Sequence, residues 1–424
     1  MPVSRLKFES LPHAIFLQRV SGPEAATTLE ARLGQGAFLA LRLVDLLAPD
    51  RAPVSKDAFH YQSVATDRFC LELRAVDTEG AHVHGIAESA SDSYRLGNIQ
   101  LIAPALFAYT HFLEAELRLE EALDVLTTLL VVVGNRLSST DAVAAQLRFA
   151  RVHRKLNRFD EADAAYAEAG EMATLAGDRY SALLSRIGRA NTMLGRGNLA
   201  DAERRLEEIL ADAHAAGEQD AEARAEHGIG AARSYRGQPD IAVQHFWRAF
   251  ELYDEEQSKL RALSDVGVML LTLGDSVGAE RALCEVVRRG PTPDAASNAM
   301  IELMHCASFR RDHVGFARWR ERCEERLLDM PPNIRADFYL KQGIGQARFG
   351  RYRRAEVLMR EALAIAGVAG LHEVEFRIER ILADLPDCLE AAAREAQLAT
   401  EPVVQTTELR EVSESLAQLS ASVG

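Results

Sequence analysis

Cysteine is sparse in this chain, with five residues in 424, Cys70, Cys284, Cys306, Cys323 and Cys388, in an odd count and without a CxxC spacing. That excludes a disulfide framework or a thiolate metal site as the organising element and points to buried thiols in a reducing compartment. Long apolar runs are also missing. LLVVV at 129–133 is representative, far below the ~20 residues that cross a bilayer. The N-terminal stretch AIFLQRV is interrupted by Gln18 and Arg19 behind the acidic Glu9, so it does not read as a signal peptide, and the expected location is cytoplasmic with no membrane association. Basic residues are outnumbered, 49 against 63 acidic, for a net charge of −14. Nonspecific nucleic-acid binding is disfavoured, because the phosphate term is repulsive overall.

Catalytic signatures are absent as well. The sequence contains no GxSxG, no GxxxxGK[ST], no HExxH and no GxGxxG after a strand pattern, so no enzyme chemistry, catalytic residue, cofactor or metal is expected. The string GIG at 228–230 and 343–345 falls inside helix-forming positions and reads as close helix packing. His82 and His84 form an HxH pair, but with no neighbouring Cys or paired carboxylates they read as surface histidines.

What the chain does have is a repeat. A small residue, then Gly or Asn seven later, then Ala five after that, recurs as Ala150/Asn157/Ala162, Ala190/Gly197/Ala202, Gly230/Gly237/Ala242, Gly267/Gly274/Ala279 and Gly343/Gly350/Ala355. The small residues let two antiparallel helices approach to about 8–10 Å where they cross. The middle residue supplies the left-handed conformation that ends the first helix. Apolar side chains complete each unit: Tyr166, Leu206, Phe246, Leu283 and Met359 lie four residues after the alanine, on the same face of the second helix. No segment alternates with period two over a useful length, so the chain is predicted all-α.

The stretches FARVHRKLNRFDEADAAYAEA (149–169), IGAARSYRGQPDIAVQHFWRA (229–249) and QGIGQARFGRYRRAEVLMREA (342–362) resemble the tetratricopeptide repeat, TPR. Its usual length is about 34 residues. The units here are longer, as in the bacterial MalT-like and Rap-like variants, and they lack the Trp that often opens the first helix and the Pro that often closes the second. The resemblance implies a right-handed α-solenoid of helical hairpins, in which each unit buries its apolar face against its neighbours.

Two weaker units follow by extrapolation, one at Thr110/Leu117/Ala122 and one at His305/Asp312/Ala317, where Glu321 replaces the filler and Trp319 packs instead. The expected organisation is an N-terminal helical cap or degenerate repeat over 1–92, seven repeats over 93–365, and capping helices over 366–400. One capping helix is placed near 371–384 and another after Pro386, with Asp387 as its cap. A polar linker and an amphipathic helix with the stripe Leu409, Val412, Leu416 and Leu419 fill 401–424. That stripe is expected to dock on the last repeat, on a second copy as a homodimer, or in the chain's own groove.

By resemblance, the first helix of each repeat lines the concave groove, at positions six and three before the small residue and one and four after it. This selects Phe107 and His111, then Leu147, Arg151 and Arg154, then Asn191, then Arg224, His227 and Ser234, and then Arg261 and Ser264, with Tyr235 one residue further on. Basic and amide groups on these positions suggest a protein or peptide ligand with an acidic segment. Leu147 and Ile187 stand where the TPR carboxylate clamp favours polar groups, which argues against that tail type. The first functional reading is a non-enzymatic scaffold or adaptor. The second is a peptide- or metabolite-responsive regulator of the Rap-like or MalT-like kind.

Overall fold

The computed structural model describes residues 11–20, 28–49, 54–290, 292–384 and, near the C-terminus, 411, 412, 414–416 and 418. Among these the secondary structure is helical throughout, without a strand. The chain divides into two compact units, residues 1–197 and 198–424. No described helix is long and apolar enough to cross a membrane.

Unit 1 begins with a short helix α1 (Ala14–Leu17) and a 3-10 turn to Val20, followed by α2 (Leu29–Asp45), α3 (Lys56–Arg74) and α4 (Thr78–Leu96). α2 packs on both α3 and α4, which also pack on each other. The repeat hairpins follow as α5 (Ala103–Ala115) with α6 (Leu119–Val132), and α7 (Ser139–Lys155) with α8 (Phe159–Leu175); α9 (Arg179–Gly195) closes the unit. Segment 11–20 is fastened by charge. Arg19 reaches Glu121 at 2.5 Å and Glu79 at 3.2 Å, and Arg118 and the Tyr109 hydroxyl both donate to Glu79 at 2.7 Å. His13 lies between Asp124 at 2.5 Å and Asp45 at 3.3 Å. A Cβ on Gly34 would stand 2.3 Å from the Phe16 carbonyl oxygen, so α2 needs glycine where this segment crosses it.

Unit 2 contains α10 (Leu199–Ala216), α11 (Gln219–Tyr235), α12 (Pro239–Leu252), α13 (Glu256–Thr272), α14 (Ser276–Arg289), α15 (Pro293–Phe309), α16 (His313–Glu324), α17 (Pro332–Arg348), α18 (Tyr352–Val368) and α19 (His372–Asp384). Successive helices pack as hairpins, α11 on α12, α13 on α14, α15 on α16 and α17 on α18. α19 matches the first expected capping helix, whereas the second, after Pro386, lies outside the described residues. Val412 and Leu416 are buried in the unit 2 core, at 5% and 1% exposure, while Leu409 and Leu419 lie outside the described residues.

The turn residues set the register. The first helices end on Leu117, Asn157, Gly197, Gly237, Gly274, Arg311 and Gly350, all left-handed with φ between 57° and 84° and spaced by 40, 40, 40, 37, 37 and 39 residues. The sixth unit therefore turns at Arg311 and not at Asp312. Asp312 instead caps α16 by accepting from the Val314 and Gly315 amides. With that one-residue shift, bulky Met304 and Phe316 take the points expected to be small. The space for Phe316 comes from the next first helix, where a Cβ on Gly345 would meet its ring at 2.3 Å. Trp319 packs in the core as expected, at 6% exposure.

Two expectations, on the histidine pair and on the cysteines, change. His84 is buried against Asp67 at 3.1 Å, and His82 packs beside the rings of Tyr109 and Phe112, so neither is a free surface histidine. Cys70, Cys306 and Cys323 are buried thiols, pushed by desolvation up to about 12, but Cys284 is exposed. Cys388 lies outside the described residues.

Candidate functional site

In unit 1 one predicted residue, Arg151 on α7, shares a buried carboxylate of α5 with two residues outside the prediction. Glu114, a buried residue one turn beyond His111 on α5, receives Lys155 at 3.1 Å, Arg151 at 3.4 Å and Arg148 at 3.8 Å from α7. α7 can present all three because residues three, four and seven apart share one helix face. Burial pulls the Lys155 ammonium and the Arg148 guanidinium below their ordinary range, Glu114 pulls both back, and the Arg151 charge lowers each again. Arg154, half-buried, has no carboxylate within ion-pairing distance among the described residues, and its Nε lacks a hydrogen-bond partner. Three cations thus share one carboxylate, with Arg154 close enough to act on Lys155, an arrangement that accepts a further anion.

Of the other predicted residues of unit 1, Phe107 and His111 lie on α5 and Asn191 on α9. His111 is exposed, and its charge together with burial holds His82 below the usual imidazole range. Phe107 is half-buried and lines a shallow recess with Gln100, Ala103, Pro104, Leu137, Ser138 and Asp141. Asn191 on α9 is half-buried.

Unit 2 presents a different balance. Arg224 donates to Asp220 at 2.5 Å, and His227 Nε2 meets Asp265 at 2.9 Å with its Nδ1 3.4 Å from the Tyr253 hydroxyl. The His227 ring also contacts Phe246 edge-on at 5.3 Å between centroids. Arg261 is exposed on α13; burial raises the pKa of the Tyr253 phenol, and the nearby Arg261 and Arg224 offset the rise. Ser234 and Ser264 are half-buried, and Tyr235 is 69% exposed. Among these predicted residues Arg224 is matched by Asp220 and His227 by Asp265.

Four participants were not legible in the repeat register. Arg148 and Lys155 follow from the α5–α7 ion pairs, Asp265 neighbours the predicted Ser264, and Tyr253 comes from the end of α12. Glu114, four residues after the repeat's small point at Thr110, does stand on an inner register position, and a search for carboxylates there would have found it. No group of three or more His, Cys, Asp or Glu side chains suited to a metal occurs among the described residues.

No protein-family model matches the sequence, and no curated protein matches it. Among solved structures, the apo form of the quorum sensor NprR from B. thuringiensis aligns with a TM-score of 0.52 and 12% identity, covering 77% of this chain and 97% of that one. The Rap conjugation gene regulator of plasmid pLS20, solved with the Phr* peptide, aligns at 0.48 and 11% identity, over 78% of this chain and 97% of that one. The hairpin array, its left-handed turn residues and the alignment with NprR together give this chain the TPR-like helical-repeat fold.

Proposed function

We propose that this chain is a non-enzymatic scaffold that holds a protein or peptide on its first helices, and that unit 1 engages an acidic segment of that ligand. The observation that carries this reading is the excess of cations around Glu114, with Arg148, Arg151 and Lys155 sharing one carboxylate and Arg154 beside them without an acid. A carboxylate-bearing peptide would relieve the mutual repulsion of these groups, and guanidinium pairs favour planar carboxylates. Phe107 and His111 on α5 offer it an aromatic and a titratable contact. In unit 2, Arg224, His227, Arg261 and Ser264 form a pre-organised polar surface that favours amide and hydroxyl partners over a run of acids. The fold supports this use, since repeat hairpins build extended binding faces.

The test is fluorescence anisotropy with a labelled octaglutamate peptide. The parent should bind it with an affinity that falls as salt rises, and the variant Arg151→Glu/Arg154→Glu should lose at least tenfold while retaining the parent's helicity. Equal binding by parent and variant would move the ligand site off this face.

A further inference from the structure

Two of the inner register points of unit 2 become buried along its length, although Arg261 and Asn298, at a third, stay exposed. Ten and three residues before each left-handed turn, the first helices present His227 and Ser234 on α11, Ser264 and Leu271 on α13, Ile301 and Ser308 on α15, and Leu340 and Ala347 on α17. His227, Ser234 and Ser264 are half-buried, whereas Leu271 is 7%, Ile301 0%, Ser308 0% and Leu340 1% exposed. Two of these closures have ready explanations. Leu340 packs with Ile378 of α19, and Ser308 is covered by Arg348, which donates to its hydroxyl at 2.9 Å.

Leu271 and Ile301 are aliphatic residues on the same register points. α13 packs on α12, α14 and α15, and α15 packs on α13, α14, α16 and α17. Both belong to the core cluster that runs from Ala223 to Phe338, and the cluster's other buried members are Val412 and Leu416. Those two are four residues apart on a helical turn whose Glu411, Glu414 and Gln418 are exposed. It is an aliphatic pair on one side of an otherwise polar helix, the form in which a helix lies in an apolar groove.

We propose that the turn carrying Val412 and Leu416 occupies the inner face of unit 2 at α13 and α15 as an intramolecular ligand. The site is accordingly one for an amphipathic helix with aliphatic residues at i and i+4 and acids on its outer side. A tethered occupant acts at an effective concentration on the order of millimolar, so an outside helix of the same kind binds only when the chain's own segment is displaced. This rests on the first helices being the ligand face, and it is independent of the anion-binding reading of unit 1.

The test uses the full chain and a fluorescein-labelled synthetic peptide of residues 406–421. Val412→Asp/Leu416→Asp should release the segment, so that this variant binds the peptide in trans and the parent binds it at least tenfold more weakly. A peptide bearing the same two Asp changes should bind neither. A photoreactive residue at the Val412 position of the peptide should cross-link to α13 or α15. The proposal is overturned if the folded variant does not bind, if parent and variant bind equally, if cross-links map outside α13 and α15, or if light scattering shows a parent dimer that the variant dissolves. Should the Asp variant fail to fold, Val412→Ala/Leu416→Ala is read in the same way. Octaglutamate titrated in parallel should bind parent and variant alike, so loss of one signal leaves the other interpretable.

Discussion

Phe246 fills the space that Gly230 leaves open: a Cβ on Gly230 would stand 2.8 Å from both Cδ1 and Cε1 of the ring. The same device recurs between Gly343 and Met359, where the Cβ would meet the Met Cγ at 2.8 Å. The partners differ in stiffness, since a phenyl ring has no slack and a thioether chain repacks. Gly230→Ala should therefore destabilise by about 1–2 kcal/mol, overpacking outweighing the helix-propensity gain of roughly 1 kcal/mol. Gly343→Ala should cost less. Thermal melts of the two variants rank them, and a smaller loss for Gly230→Ala would contradict the packing argument.

Ala242 is fully buried on α12 against α11, and Ala202 is equally buried on α10. Ala242→Leu adds three carbons where no side chain can retreat, and should cost about 1–3 kcal/mol. A melting temperature matching the parent would mean that this crossing is looser than its burial indicates.

The sequence displays its repeats wherever small residues mark the helix crossings, because closeness of backbones restricts the side chain directly. Six of the seven turn residues stand where the spacing puts them, including Leu117, which has no Gly-like character at all. The sixth unit misled by one residue. Its crossing uses Met304 and Phe316, and the compensating space lies at Gly345 in the following unit, so no local pattern records it. The candidate site divides in the same way. Repeat register selects candidates for the binding face, such as Arg151, Arg154 and His227. It does not reveal that Arg151 shares Glu114 with two neighbours or that His227 is held by Asp265 and Tyr253, because those pairings join side chains 26 to 41 positions apart.

The sixth turn makes a pair of opposite predictions. Arg311 holds φ at 59°, a conformation that costs a non-glycine residue roughly 1 kcal/mol. Arg311→Gly should relieve that strain but lose the side chain's bond to the Arg348 carbonyl, leaving a net gain of a few tenths of a kcal/mol. Asp312→Ala removes the cap on two amides and should destabilise by about 1 kcal/mol. Were the turn at Asp312 instead, glycine would help there and not at Arg311.

Charge reversal should separate the two units. Arg154→Glu places an acid among Arg151 and Lys155 and should leave the melting temperature nearly unchanged, because Arg154 has no carboxylate to abandon. Arg224→Glu sets a second acid four residues from Asp220, its 2.5 Å partner on the same helix, and should lower stability by about 0.5–1 kcal/mol. Paired melts at low and high salt check this, and the Arg224→Glu deficit should shrink as salt rises.

Stability should also fall at alkaline pH through His13. Burial alone would push this imidazolium down, but hydrogen bonds and charge from Asp124 and Asp45 outweigh it, and its pKa is raised to about 9. A histidine whose folded pKa lies above its unfolded value near 6.5 contributes fully below that unfolded value, and the contribution is lost as pH rises through the folded one. With a side chain only 4% exposed, that contribution is at most roughly 3–4 kcal/mol, since each tenfold gain in proton affinity on folding is worth ~1.4 kcal/mol. His13→Gln cannot carry the charge at any pH. The parent's advantage over His13→Gln in urea melts should be large at pH 6, decline between pH 6.5 and 9, and reach a low plateau by pH 10. An advantage that stays constant across that window would mean that Asp45 and Asp124 hold a neutral ring, and that segment 11–20 is fastened by Arg19 and Phe16 instead.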